Sequence, residues 1–397
     1  MTLQHSAPFD PAAAADFVAH LPAASAIFVL WPANDPGPGV QPYIGRTRNL
    51  RRRLKRLLAP PRPGLRRLNL HEFTRRVEYQ FVGSNLEASW LLYQTNRAHY
   101  PRTYRRRLRL RPPALLKVNL KNRFPRCYAT RSLTHDGSLY YGPYPSRTDA
   151  ERFAGEFLDF FKIRRCVEEL DPDPKHPGCI YSQMKMCLAP CFAGCTDEEY
   201  QQELGRAVAF LDSKGASLER ELEGERMQAS ESLDFEGAAR VHRRLEKVNE
   251  VLRRRADLAG NVADLHALIL ERGAEPQSVV FFRVWAGELL GPATLALDER
   301  VAAPAPLDQQ IRELVAQLVP AGPAQAISSE SGGAREVRLP PWEHLAILAR
   351  WYYSSFREGD YVPLDRSDQL PHRRLIRLCR KLIVPPDAVA ETPQPAG

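Results

Sequence analysis

The stretch Pro42-Tyr43-Ile44-Gly45-Arg46-Thr47-Arg48-Asn49-Leu50-Arg51-Arg52-Arg53-Leu54 changes period partway along, and that change decides how the first hundred residues are read. Up to Gly45 it reads as a short strand. From Asn49, a residue suited to capping a helix, Leu50, Leu54, Leu57 and Leu58 recur at helical spacing while arginines take the other faces. Upstream, Ala26-Ile27-Phe28-Val29-Leu30-Trp31 reads as a buried strand, and residues 34–39 carry turn chemistry. Further upstream, Asp10-Pro11 reads as a cap and first turn of a short helix reaching about His20. A strand hairpin followed by a basic helix is therefore expected.

The chain has 397 residues, with 56 Lys and Arg against 47 Asp and Glu, for a formal charge of +9. Such a length suits roughly two to four domains. The charge is uneven: from Arg46 to Arg76 there are twelve basic residues and one acid, Glu72, and from Arg102 to Arg126 there are ten basic residues and no acid. Fields of that density suit a polyanion, and the preference for Arg over Lys suits phosphate. The alanine-rich stretch 11–26 lacks basic residues and contains Asp16, His20 and Pro22, so it does not read as an export signal. No apolar run approaches the roughly 20 residues that span a bilayer. A cytoplasmic protein with no membrane partner is expected, in a compartment that keeps thiols reduced.

Five of the seven cysteines fall within residues 166–195, as Cys166-x12-Cys179-x7-Cys187-x3-Cys191 with Cys195 trailing by another x3. Pro177, Gly178 and Pro190 supply turns that draw sulfurs together. Soft donors converging from one loop-rich segment suit either tetrahedral zinc or an iron–sulfur cluster. Beyond them, Thr196 and the acids 197–199 lead into strongly helical sequence, with Asp197 read as the cap. Leu204, Val208 and Leu211 recur at helical spacing until Gly215. Leu218 and Leu222 then open a second helix, and 233–236 form a tight connection into a third, so an antiparallel helix hairpin is expected. Between the basic runs and the cysteines, strands are read over 115–120 and 126–133. Asp136-Gly137 reads as a hairpin turn, and the aromatic run 140–145 suits either packing or stacking on bases.

The 43–54 stretch resembles the start of a GIY-YIG endonuclease domain, most closely that of the bacterial excinuclease subunit UvrC family. The resemblance implies a small mixed sheet with Tyr43 near an attacking water and with Arg46 and Arg53 facing a phosphate whose growing negative charge they stabilise. It also implies a divalent cation such as Mg²⁺ that supplies the water and needs at least one carboxylate. Ala26-Ile27-Phe28 stands where the family has Gly-Ile/Val-Tyr, so one phenol hydroxyl is missing. For the metal-binding glutamate, an ungapped alignment places Leu92 and a gapped one places Glu87. The segment 124–146 and Cys187-Leu188-Ala189-Pro190-Cys191 also resemble UvrC, which implies a [4Fe–4S] cluster on Cys166, Cys179, Cys187 and Cys191, zinc being the alternative. Cys195 is either a substitute ligand or a bystander, and Cys127 and Cys379 read as ordinary thiols.

Leu233-Asp234-Phe235-Glu236-Gly237-Ala238-Ala239-Arg240, with Met227 upstream, resembles the UVR motif, which implies that Leu233 and Phe235 bind UvrB. After residue 259 strands are read over 266–270, 279–284 and 289–297, with a helix over 309–318. Here the family begins a ribonuclease-H-like domain, of which only the opening strands are expected, without its acidic catalytic set. The expected class is α+β and multidomain: a GIY-YIG-like unit over 1–110, a cysteine-bearing middle region over 111–200, a UVR helix hairpin over 201–258, a residual mixed α/β unit over 259–384, and a disordered tail over 385–397. Two functions follow from the resemblance: a metal-dependent endonuclease that incises damaged DNA with UvrB in nucleotide excision repair, or a catalytically inactive adaptor for DNA and UvrB. Glu87 discriminates between them. Arg51, Arg52, Arg105, Arg106 and Arg107 are the expected DNA contacts.

Overall fold

A computed structural model describes residues 2–35, 37, 39–61, 67–297, 305–320, 339–365 and 369–383. Its strands form three four-stranded antiparallel sheets. In the first, β1 (His5–Pro8), β2 (Ala26–Trp31), β3 (Tyr43–Thr47) and β4 (Arg76–Phe81) lie in the order β1-β4-β2-β3. Apolar along its whole length, β2 takes a central place, and alternate side chains serve opposite faces. Phe28 and Leu30 pack on α1 (Ala14–Ala19) and α2 (Leu50–Leu58). Ile27 and Val29 pack on α3 (Asn85–His99), which the short helix α4 (Tyr104–Arg107) follows. The caps read from sequence are present, with Asp10 accepting from Ala12 N at 2.9 Å and Asn49 accepting from Arg52 N at 2.8 Å.

The middle sheet contains β5 (Ala114–Val118), β6 (Cys127–Thr130) and β7 (Leu139–Tyr144). It is followed by α5 (Arg147–Leu158), α6 (Ile180–Gln183), α7 (Asp197–Asp212), α8 (Ala216–Glu231) and α9 (Phe235–Arg253). The short β8 (Gly260–Asn261) then returns to give the order β6-β5-β7-β8. Asp136-Gly137 does not turn a hairpin, because β5 lies between β6 and β7. The Asp136 side chain is used instead to accept from the Lys117 ammonium and from Thr134 and Ser138. The cap of α7 is Thr196 rather than Asp197: its hydroxyl accepts from Glu199 N, and the Glu199 carboxylate accepts from Thr196 N at 2.9 Å. At the base of the α8–α9 hairpin, Leu218, Leu222, Leu245 and Val248 enter the same core as α5 and α7. Its tip stands clear, with Met227, Leu233 and Phe235 exposed.

The third sheet holds β9 (Ala267–Arg272), β10 (Ser278–Trp285) and β11 (Glu288–Ala296), with β12 (Asp360–Pro363) pairing to β9. Leu268, Leu270, Val279 and Phe281 pack on α10 (Leu307–Gln317) and α12 (His372–Leu382). Ile269, Val280 and Phe282 pack on α11 (Trp342–Tyr352) and on the Leu86, Trp90 and Tyr93 side of α3. Helix α3 is thus clamped between two sheets, which explains why its sequence shows no clean apolar stripe. The loop entering it comes so close to β9 that a Cβ on Gly83 would lie 2.2 Å from the Arg272 carbonyl oxygen. Trp90 Nε1 donates to the Gly291 carbonyl at 2.6 Å across the same junction. The expected tail over 385–397 lies outside the described residues.

Candidate functional site

Two clusters hold part of the expected site residues, one at the β3 edge and the other in the cysteine segment. At the first, Arg53 Nη2 donates to the Tyr43 hydroxyl at 3.2 Å, and Phe28 lies beside Tyr43 with ring centroids 6.1 Å apart. The Phe28 ring covers Gly45 so closely that a Cβ there would sit 2.6 Å from Phe28 Cζ. This ties Gly45 of β3 to the Phe28 ring of β2. Arg53 Nε is buried and has no hydrogen-bond partner, so the guanidinium keeps donor capacity beside Tyr43. The outer face of α2 carries Arg51, Arg52, Lys55 and Arg56, all exposed, although Arg51 Nε donates to the Leu21 carbonyl.

Arg46 points to the other face of the sheet, as its place three residues after Tyr43 on a strand requires. Its Nη1 donates to Ser89 Oγ on α3 at 3.4 Å. Glu87, two residues earlier on that helix, lies roughly 200° around the axis from Ser89. Its carboxylate accepts from Gly83 N at 2.8 Å, its own N–H donates to Ser84 Oγ, and burial raises its pKa to about 7. Leu92, one turn on from Ser89, packs into the cluster that includes Ile44. Tyr43, Arg53 and Phe28 are therefore brought together, Arg46 is divided from them by the edge strand, and Glu87 serves the start of its helix.

A second acid faces Glu87. Glu271 on β9 accepts from Trp351 Nε1 at 2.8 Å and from the Ser84 hydroxyl. Burial first, and then the neighbouring Glu358 and Glu87, raise its pKa to about 7. No sequence signal pairs residues so far apart in the chain.

The basic run at 105–107 is partly committed to the fold. Arg105 pairs with the buried Glu343 at 2.7 Å and lies over the Trp342 ring, and Arg107 stacks on Tyr100 at 3.7 Å. Arg106 is exposed.

In the cysteine segment, Cys179 caps α6, while Cys187 and Cys191 are buried around the turn at Pro190–Phe192. Burial raises the Cys187 thiol, and Cys179, Cys191 and Cys166 add to the effect, so those three sulfurs lie within electrostatic reach of Cys187. Cys195 also lies within reach of Cys187 and Cys191. Among the described residues no three His, Cys, Asp or Glu side chains are placed to hold a single metal ion. Beside the thiols sits Arg164, 2% exposed, whose Nε donates to the Phe124 carbonyl at 2.8 Å and whose Nη1 lies 3.5 Å from Cys166 Sγ. No described carboxylate pairs with this buried guanidinium. The same Nη1 donates to the Glu168 carbonyl at 2.7 Å, so backbone carbonyls hold the guanidinium beside Cys166.

These features define a basic α/β protein with a thiol-rich centre, and comparison with known proteins places it. Residues 114–210 match the family model described as UvrC/Cho excinuclease, middle domain. The UvrABC system protein C of Moorella thermoacetica is 27% identical over 277 residues, covering 69% of this chain and 44% of the relative. That of Desulforudis audaxviator is 28% identical over 364 residues, covering 89% of this chain and 56% of the relative. That of Chlamydia pneumoniae is 29% identical over 253 residues, covering 63% and 42%. The chain is thus similar to UvrABC system protein C along much of its length and matches the UvrC/Cho middle domain over residues 114–210, and it spans about half the length of the curated relatives it matches. No solved structure matches it. No helix among the described residues is long and apolar enough to cross a membrane.

Proposed function

We propose that this chain works in nucleotide excision repair, acting on damaged DNA with UvrB. On this reading residues 1–110 are a GIY-YIG-like unit, the α8–α9 hairpin is a UVR element, and the third sheet is the opening of a ribonuclease-H-like fold. The observation that carries the proposal is the contact between Tyr43 and Arg53 beside the exposed arginines of α2, in a chain whose middle region matches UvrC/Cho excinucleases. Arg53, with donors to spare, is suited to a phosphate oxygen, while Arg51 and Arg52 extend the contact along a nucleic-acid backbone. At the hairpin tip, Leu233 and Phe235 offer an apolar surface for UvrB.

One observation supports the second reading, an adaptor that binds DNA and UvrB without cutting. The Glu87 carboxylate is held at Gly83. A carboxylate engaged at Gly83 rather than at Tyr43 supports a site without the ligand that a divalent cation requires. Incision of a lesion-bearing duplex loaded with UvrB, in the presence of Mg²⁺, separates the two. Cutting that is lost in Tyr43→Phe and Arg53→Ala supports the nuclease. Absence of cutting with DNA and UvrB binding intact supports the adaptor.

Cys166, Cys179, Cys187 and Cys191 would hold a [4Fe–4S] cluster, which would lock the loop-rich segment around a common centre. The buried Arg164 supports an anionic centre there. Zinc on the same thiolates is the alternative that metal analysis distinguishes.

A further inference from the structure

Several exposed arginines in this chain face an acid. Arg123 pairs with Asp197, Arg147 with Glu151, Arg152 with Asp149, Arg254 with Glu250 and Arg312 with Asp308. Helix α12, with the sequence HRRLIRLCRKL, instead gathers on one short helix arginines with no acid partner among the described residues, as α2 does. Arg373, Arg374, Arg377, Arg380 and Lys381 are all exposed, and among the described residues only Lys381 has an acidic neighbour, Asp360 of β12 at 3.4 Å. The apolar side of the helix is already used, because Leu375, Leu378 and Cys379 are buried against the third sheet. The basic side therefore faces outward from a fixed platform, and the helix has no apolar face left to enter a membrane.

Arg373, Arg377 and Arg380 recur at four- and three-residue steps and so form one stripe. From Arg373 to Arg380 the stripe rises about 10 Å, the axial length of roughly three phosphates of one DNA strand. The layers of the fold place this stripe far from α2. Helix α2 covers one face of the first sheet, α3 fills the space between the first and third sheets, and α12 covers the far face of the third. With packed layers about 10 Å apart, the two basic helices are separated by on the order of 40 Å, or about twelve base pairs.

We propose that α12 is a second nucleic-acid contact, one that grips the phosphate backbone of duplex DNA through Arg373, Arg374, Arg377 and Arg380, at the opposite end of the layer stack from α2. The proposal rests on the reading that the protein acts on DNA, and adds to it a site that the GIY-YIG, cysteine and UVR elements do not include. Because such contacts release counterions, they are read directly in the salt dependence of binding.

The test combines Arg373→Gln, Arg374→Gln, Arg377→Gln and Arg380→Gln in the full chain and titrates a long duplex of unrelated sequence across a range of salt. A parallel Arg51→Gln, Arg52→Gln variant reports on α2, and circular dichroism confirms that both variants are folded. Each lost phosphate contact removes about 0.9 from the slope of log K against log salt, so the α12 variant, with four contacts removed, should lose up to about 3.6 from that slope and bind all duplexes more weakly. An unchanged slope in the α12 variant, alongside a reduced slope in the α2 variant, overturns this inference and leaves the DNA reading standing. A wild-type protein with no salt-dependent duplex binding overturns both. A loss confined to single-stranded RNA or to anionic vesicles also overturns the duplex assignment.

Discussion

Glu271→Gln is the most informative single change at the junction between the first and third sheets. Glu271 and Glu87 are buried there, and each has its pKa raised from an ordinary 4.5 to about 7. Moving a carboxyl that far makes its ionisation in the folded state harder by roughly 3 kcal/mol. In both cases the folded value lies above the unfolded one, so the stabilisation contributed by the protonated acid is fully present below about pH 4.5 and is lost as pH rises through about 7. Glutamine keeps an oxygen for Trp351 Nε1 and removes the charge, at the expense of a rearranged hydrogen bond with Ser84 worth about 1 kcal/mol. The net gain at pH 8 is then about 2 kcal/mol, shrinking toward zero or slightly below it near pH 5. Urea denaturation of wild type and variant at pH 5, 6, 7 and 8 checks this. Parallel stability profiles across that range would refute the reasoning, because they would mean that Glu271 ionises as easily in the fold as in the unfolded chain.

Gly45→Ala places a methyl against the Phe28 ring, 2.6 Å from Cζ, and should destabilise the chain by about 1–3 kcal/mol. Adding Phe28→Leu should recover part of that loss in thermal denaturation. Protein purified without oxygen should carry iron and sulfide bound through Cys166, Cys179, Cys187 and Cys191. Arg164→Gln should reduce cluster occupancy while Cys379→Ser leaves it unchanged, and stoichiometric zinc in place of iron would replace the cluster. Phe235→Ala, at a position 69% exposed, should leave the unfolding midpoint unchanged. It should weaken UvrB binding by about 2 kcal/mol, or about thirtyfold, and equal affinity by titration would make the hairpin tip a spacer.

What the sequence determined by itself is local. The strand over Ala26–Trp31, the caps at Asp10 and Asn49, the α8–α9 hairpin and the strands β9 to β11 each follow from periodicity and turn chemistry confined to a few residues. The cysteine segment was legible for the same reason, since its thiols lie close together along the chain. The tertiary structure decided everything that depends on distant residues meeting. It decided that Glu87 turns back to Gly83 and faces Glu271, that Arg105 is spent on Glu343, and that β5 separates the strands on either side of Asp136-Gly137. It also decided that Arg46 and Tyr43 serve opposite faces of an edge strand. Alternation along β3 could have shown that last division, but α3 could not have been read so easily. A helix buried on both sides has no polar face to reveal its orientation, so which way Glu87 points depends on two sheets that its sequence does not contain.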